Sequence, residues 1–189
     1  MLDIALKFLA QELNAYLLTR TGSDFGKAEM TRLVDDTGKY VLKEDQLGVS
    51  LIHLEEERIL KSQMPETRLT GGKHVVLEPP LKLNLHILYA ARFTHYDQAL
   101  RYLAHVLTFF QAHSSFTPEA YPGLDGRIEK LTAELQSLSY EQVNQVWAFI
   151  GGKQLPSAIY KVRMVLLQDT AQTSIQQPLT QLDTNLHFR

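Results

Sequence analysis

Pro79 to Gln111 reads PPLKLNLHILYAARFTHYDQALRYLAHVLTFFQ, and two periodicities within it decide the fold. Pro79-Pro80 break whatever precedes them. Leu81, Leu83, Leu85, Ile87 and Tyr89 then alternate with Lys82, Asn84 and His86. A period of two predicts a strand with one dry face and one face that is polar at its start. Leu88, Ala90 and Ala91 blur the alternation, so the far end of the strand is expected to be covered on both sides. After Thr94-His95 the period changes. Leu100, Leu103, Val106, Leu107 and Phe110 fall at helical spacing, with Ala99 and Ala104 beside them. A strand feeding a helix that folds back onto it is the natural reading.

Working outward, Leu2 to Arg20 reads as an amphipathic helix with Ile4, Phe8, Leu9, Leu13, Tyr16 and Leu17 on its apolar face. Asp3 suits its N-cap or first turn, and Gly22 suits a left-handed stop. Met30–Val34 and Lys39–Leu42 flank Asp35-Asp36-Thr37-Gly38, which predicts a short hairpin. Val49–Leu54 is β-rich and runs into Glu55-Glu56-Glu57-Arg58, a strand leaving the core for solvent or a partner. Residues 61–80 carry three prolines and Gly71-Gly72 and read as an extended loop with one short strand at Val75–Leu77.

Residues 112–126 read as a second loop. Ile128–Leu138 reads as a strand, with a helix as the competing reading. Ser139-Tyr-Glu-Gln142 is a capping-box sequence opening a helix that Gly151-Gly152 ends. Ala158–Gln168 is the last strand, with Tyr160, Val162, Met164 and Leu166 on one face and Lys161 and Arg163 on the other. Beyond Asp169 the chain turns polar and Gln/Thr-rich. The expectation is one α+β domain over residues 1–169, a mixed or largely antiparallel sheet with flanking helices, and a tail over 170–189.

The chain has 189 residues, 44% of them hydrophobic and 21% charged, with a formal net charge of -2. Its pI of about 6.4 gives no support for a nucleic-acid partner. Cysteine is absent, which removes thiolate metal sites and cysteine nucleophiles. No apolar run reaches the roughly 20 residues that span a bilayer. Asp3, Lys7, Gln11 and Glu12 interrupt the N-terminal apolar stretch, so export by a signal peptide is not expected.

No motif points to catalysis. His53, Glu55 and Glu57 would share a strand face, but a metal needs three or four converging ligands and no second histidine has useful spacing. Gly71-Gly72-Lys73 and Gly151-Gly152-Lys153 lack the remaining residues of a phosphate loop. No catalytic, cofactor-binding or metal-ligating residue is assigned. The charged strand ends carry more information. Glu55–Arg58 and Lys161/Arg163 are expected either to face each other across a ladder or to form complementary patches on neighbouring subunits.

The same stretches carry a resemblance. Leu13–Gly22, LEEERIL at Leu54–Leu60, Pro79–Gln111, FTPEAYPGL at Phe116–Leu124, Ile128–Trp147 and LPSAIYKVRM at Leu155–Met164 occur in one order. Together they resemble the cap, or tail-terminator, protein of extracellular contractile injection systems. These are phage-tail-like particles of the antifeeding-prophage and virulence-cassette type.

The resemblance implies a non-enzymatic structural protein with a tail-terminator-like fold. It would form a hexameric ring on the distal end of the tube, end inner-tube growth and join the last sheath ring to the tube. It implies inner-tube and sheath proteins as partners, and synthesis in the bacterial cytoplasm before incorporation into the particle. Glu55, Glu56, Glu57, Arg58, Lys161, Arg163, Leu182 and Phe188 are the expected partner-interface residues. The competing reading is an enzyme or small-molecule binder with a site dispersed over the loops at 61–80 and 112–126.

Overall fold

The computed structural model describes residues 1–57, 66–70, 73–77, 82–166 and 174–176. In chain order the elements are α1 (Leu2–Thr21), β1 (Ala28–Met30), β2 (Gln46–Glu56), β3 (Glu66–Thr70), β4 (Lys73–Leu77) and β5 (Lys82–Arg92). Then come α2 (Tyr96–Ala112), β6 (Ser115–Phe116), β7 (Ile128–Leu135), α3 (Tyr140–Ile150), β8 (Ser157–Leu166) and β9 (Ser174–Gln176).

The quoted strand, β5, sits inside a six-stranded sheet ordered β1-β2-β5-β8-β7-β6. All pairings are antiparallel except β1 with β2, so the sheet is mixed. Leu85, Ile87 and Tyr89 point to one face, where Leu47 and Val49 of β2 and Val162 and Met164 of β8 join them. Leu9 and Leu13 of α1 and Val106 and Phe110 of α2 close over that face. The opposite face is covered only at one end. There Leu88 and Ala90 pack with Leu33, Leu42 and Trp147 of α3. The blurred alternation at Leu88–Ala91 thus has its expected cause, a strand end covered on both sides.

Local signals act as their chemistry predicts. Gly22 ends α1 at φ 65. Ser139 and Gln142 form the reciprocal capping box on α3, which Gly151 ends at φ 77. Ile128–Leu135 is a strand, not a helix. Asp3 lies in the first turn of α1, and Met1 holds the cap position.

Four readings are corrected. The buried face of α2 is Ala99, Tyr102, Val106, Phe109 and Phe110, whereas Leu100 is 46% and Leu107 38% exposed. The helix is apolar on two sides, and spacing alone does not say which side meets the sheet. The hairpin at residues 30–42 reduces to one bridge, Val34 with Tyr40, because Ala28–Met30 pairs in parallel with β2 instead. Asn14 of α1 takes both main-chain groups of Ala28, donating to its O at 2.9 Å and accepting from its N at 2.7 Å. That occupies the outer edge of β1, an edge otherwise open to strand addition.

The stretch at 61–80 holds two paired strands, β3 and β4, and not one short strand. Thr67, Leu69, Val75 and Val76 favour strand. Within residues 170–189, β9 pairs with β4 and completes a second sheet ordered β3-β4-β9. The chain leaves the large sheet at the ends of β2 and β8 and re-enters it at the start of β5. Register places these three points at one end, Glu56 opposite Leu83 and Lys82 opposite Val165.

Candidate interaction surface

The uncovered half of the second sheet face is polar, and register explains why. Glu55 lies opposite Asn84, Asn84 opposite Arg163, and Arg163 opposite Thr132. One step along, His53 lies opposite His86, His86 opposite Lys161, and Lys161 opposite Glu134. Residues directly opposite in antiparallel strands share a face. Two polar rows therefore cross β2, β5, β8 and β7.

A bulge puts the acids there. The register of β2 on β5 slips between Leu51 and His53, leaving Ile52 as the extra residue. Before the slip, Leu47, Val49 and Leu51 face the helices. With unbroken alternation His53, Glu55 and Glu57 would follow them onto that helix-covered face. The extra residue reverses the phase and sends them to the open face, which is a common use of a bulge.

The acids then meet the cations of β8 across β5. Lys161 Nζ stands 3.5 Å from Glu55 Oε1, and Arg163 Nε 3.8 Å from Glu57 Oε2. Asn84, only 2% exposed, lies between them and donates from Nδ2 to Glu55 Oε1 at 3.3 Å and Glu57 Oε2 at 3.1 Å. The two carboxylates fix which end of that amide is nitrogen. His86 Nε2 approaches Glu55 Oε1 at 3.4 Å, and its ring lies 5.4 Å from that of His53. The hydrogen bond from His86, then the charges of His86 and Lys161, hold the Glu55 carboxyl below its usual range against an opposing effect of burial.

The structure thus brings together Glu55, Glu57, Lys161 and Arg163, four of the eight expected interface residues. They neutralise one another within the chain, although β2 and β8 are not neighbours. Glu56 points to the other side of β2 and is exposed. Arg58, Leu182 and Phe188 lie outside the described residues. Asn84 and His86 were missed as members of the site. Their signal was present in the alternation of β5, which puts two polar side chains on the face opposite Leu85.

An apolar cleft of about 740 Å³ opens at the other end of the sheet, between α2 and α3. Leu100, Leu103, Leu107, Leu135, Val143 and Trp147 line it. None of residues 112–126, half of the expected dispersed site, is among its lining residues.

Residues 6–181 match the model of the Pvc16 N-terminal domain. The chain belongs to the Pvc16 N-terminal domain family. Two solved structures share its fold. One is the sheath/tube terminator of PVC, an extracellular contractile injection system, in its extended state. It has a TM-score of 0.61 and 18% identity, over 100% of this chain and 64% of that one. The other is the tube-terminating cap of the anti-feeding prophage, with a TM-score of 0.67 and 14% identity, over 98% of this chain and 61% of that one. The chain spans about three-fifths of the length of each. No curated protein matches it. The expected tail-terminator-like α+β fold is therefore the observed one. Within this Pvc16 N-terminal fold the polar rows lie on the sheet face that α1 and α2 leave open.

Proposed function

We propose that this Pvc16 N-terminal domain is the structural cap of a contractile injection particle, with no catalytic role. It ends inner-tube growth and joins the terminal sheath ring to the tube. The observation that carries this reading is the family match over residues 6–181, together with a fold shared over its whole length with two tube terminators.

A cap on a tube with rotational symmetry needs a closed ring of copies, and such a ring is built from heterologous contacts. We infer six copies, matching a hexameric tube. The edges of the large sheet are short, with three residues in β1 and two in β6, and short edges resist strand addition. The small sheet offers a longer edge at β3, with five residues. Contact by strand addition, with affinity from main-chain hydrogen bonds, fits that sheet better.

The interface reading of the charged residues is refined accordingly. Glu55, Glu57 and Lys161 stiffen the strand ends that carry the small sheet. Glu56, Arg58, Leu182 and Phe188 make contacts to a neighbouring copy, the inner-tube protein or the sheath protein, and Arg163, paired with Glu57 but 40% exposed, adds a contact from the rim of the polar rows.

The test is the particle itself. Light scattering coupled to size exclusion over a concentration series is expected to give a mass near six chains, with rings in negative stain. Purified tube protein is expected to gain end decoration when the chain is added. A chain that stays monomeric and leaves tube ends bare overturns the reading. Charge reversal at Glu56 and Arg163 together is expected to lengthen tubes in particles. Unchanged length and capping would remove these residues from the interface.

A further inference from the structure

A basic pocket of about 480 Å³ lies between the end of α1 and the first half of α2. Arg20, Ser23, Gln98, Arg101, Tyr102 and His105 line it. Gln98, Arg101, Tyr102 and His105 recur at spacings of three and four, so they share one side of α2. The Tyr102 hydroxyl donates to the Phe25 carbonyl at 2.8 Å, which holds the segment after α1 beside α2. The pocket is therefore a built junction of two helices.

Among the described residues neither Arg20 nor Arg101 makes an ion pair. Arg20 lies over the Tyr16 ring, 5.2 Å from its centroid, which leaves its guanidinium hydrogens for another acceptor. Asp24 is engaged by Lys27 at 3.0 Å. Asp97, one turn before Arg101, forms no pair with it here, and an exposed pair of that kind is too weak to hold the guanidinium. Burial, then the charges of Arg20 and Arg101, hold the His105 imidazole below its ordinary value.

One effect opposes an anion. The C-terminus of α1 carries roughly half a negative charge from its aligned peptide dipoles. Two full guanidinium charges outweigh it. Neutral donors add to them. Ser23 Oγ accepts from the Phe25 N–H at 3.1 Å, which leaves its own proton to donate into the pocket. The Gln98 amide is a further donor on the α2 side.

We propose that this pocket binds an oxyanion, a phosphate or carboxylate group held between Arg20 and Arg101 with Ser23 and Gln98 completing the donor set. Two planar guanidinium forks suit such a group, because each presents paired N–H donors to paired oxygens. The source is either a free anion or an acidic side chain from a second copy. The inference stands independently of the terminator reading.

The test follows the His105 side-chain resonance by NMR in the full chain while inorganic phosphate is added at fixed ionic strength. Expected is a saturable shift and a rise in the His105 pKa, because a bound anion cancels the field of the two arginines. Arg101→Gln is expected to weaken phosphate binding by about tenfold or more. Arg101→Lys should fall between the two, keeping the charge but not the fork. Arg101 is exposed and makes no ion pair among the described residues, so both variants should keep the urea midpoint of the parent.

If a carboxylate of a second copy fills the site, the His105 pKa is instead high at high protein concentration. It then falls on dilution, and phosphate lowers the oligomer mass. Either pattern supports the site. A His105 response that stays linear through millimolar phosphate, is unchanged in Arg101→Gln and does not depend on protein concentration overturns it.

Discussion

Asn84 Nδ2 donates to Glu57 Oε2 at 3.1 Å, joining a buried amide on the central strand to a buried carboxylate at the end of its neighbour. The same amide reaches Glu55, so one side chain serves two acids. Like charges on adjacent positions of one sheet face repel. A neutral donor between them, with Lys161 and Arg163 beyond it, offsets that repulsion.

Asn84→Leu should therefore cost more than its burial suggests. Leucine fits a buried strand position, but it leaves the Glu57 carboxylate without this donor. An under-satisfied buried acceptor costs about 1–3 kcal/mol. The urea midpoint should fall by that amount with the slope unchanged. Asn84→Asp should be worse near neutral pH, since a third carboxylate joins the pair, and should recover part of the loss in acid.

The Ile52 bulge makes a sharper test. Deleting Ile52 removes the extra residue, so His53 follows Leu51 in unbroken alternation and stays opposite His86, with Glu55 still opposite Asn84 on the open face. The deletion should therefore fold and keep the contacts of Glu55 and Glu57 with β8, losing the packing of the Ile52 side chain beside the Trp147 cluster, about 2–5 kcal/mol. Ile52→Val should cost about 0.5–1.5 kcal/mol. Urea unfolding with far-UV circular dichroism compares the two. A deletion variant that cannot fold would show that the strand needs the bulge itself and not only the phase it sets.

That bulge also marks where the sequence stops being legible. Leu83, Leu85, Ile87 and Tyr89 disclose their strand because alternation records burial on one face, and Ser139 discloses α3 because a capping box is a local contact. The slip at Ile52 depends on what lies across the ladder, which no spacing within β2 records. The same holds for α2. Its residues 99, 102, 106, 109 and 110 face the sheet while Leu100, Leu103 and Leu107 line a cleft, and both sets have helical spacing. The acids and cations of the polar rows were legible as charged strand ends. Their meeting across β5 was not, because it requires the strand order.

Acid should remove part of the stabilisation in the polar rows. The folded Glu55 carboxyl is held below its ordinary value, chiefly by the hydrogen bond from His86. A depressed folded pKa means the contribution is complete above the unfolded carboxylate range and is lost as pH falls through the folded value. Glu55 is 42% exposed, so screening keeps the effect under about 1 kcal/mol. Glu55→Gln should lower stability by that much near neutral pH and match the parent once Glu55 is protonated in both the folded and the unfolded parent. Urea midpoints taken across the acid limb check the sign. A gap that widened toward low pH would reverse the assignment.

Gly26 tests the junction that frames the basic pocket. Its backbone sits at φ 74, where an L side chain is strained by about 1–2 kcal/mol. A Cβ there would also stand 2.2 Å from Cε1 of Tyr102. Tyr102 has little freedom to yield, since its hydroxyl is bonded to the Phe25 carbonyl and its ring stacks on Phe93 at 4.7 Å. Overpacking of this kind adds about 1–3 kcal/mol. Gly22, at φ 65 with no atom near its would-be Cβ, isolates the backbone part. Gly22→Ala should therefore cost about 1–2 kcal/mol and Gly26→Ala clearly more. In a Tyr102→Leu background the ring is gone, and Gly26→Ala should drop to the Gly22→Ala value. If the two glycines cost the same in both backgrounds, the close approach of Tyr102 contributes nothing, and backbone strain alone accounts for both.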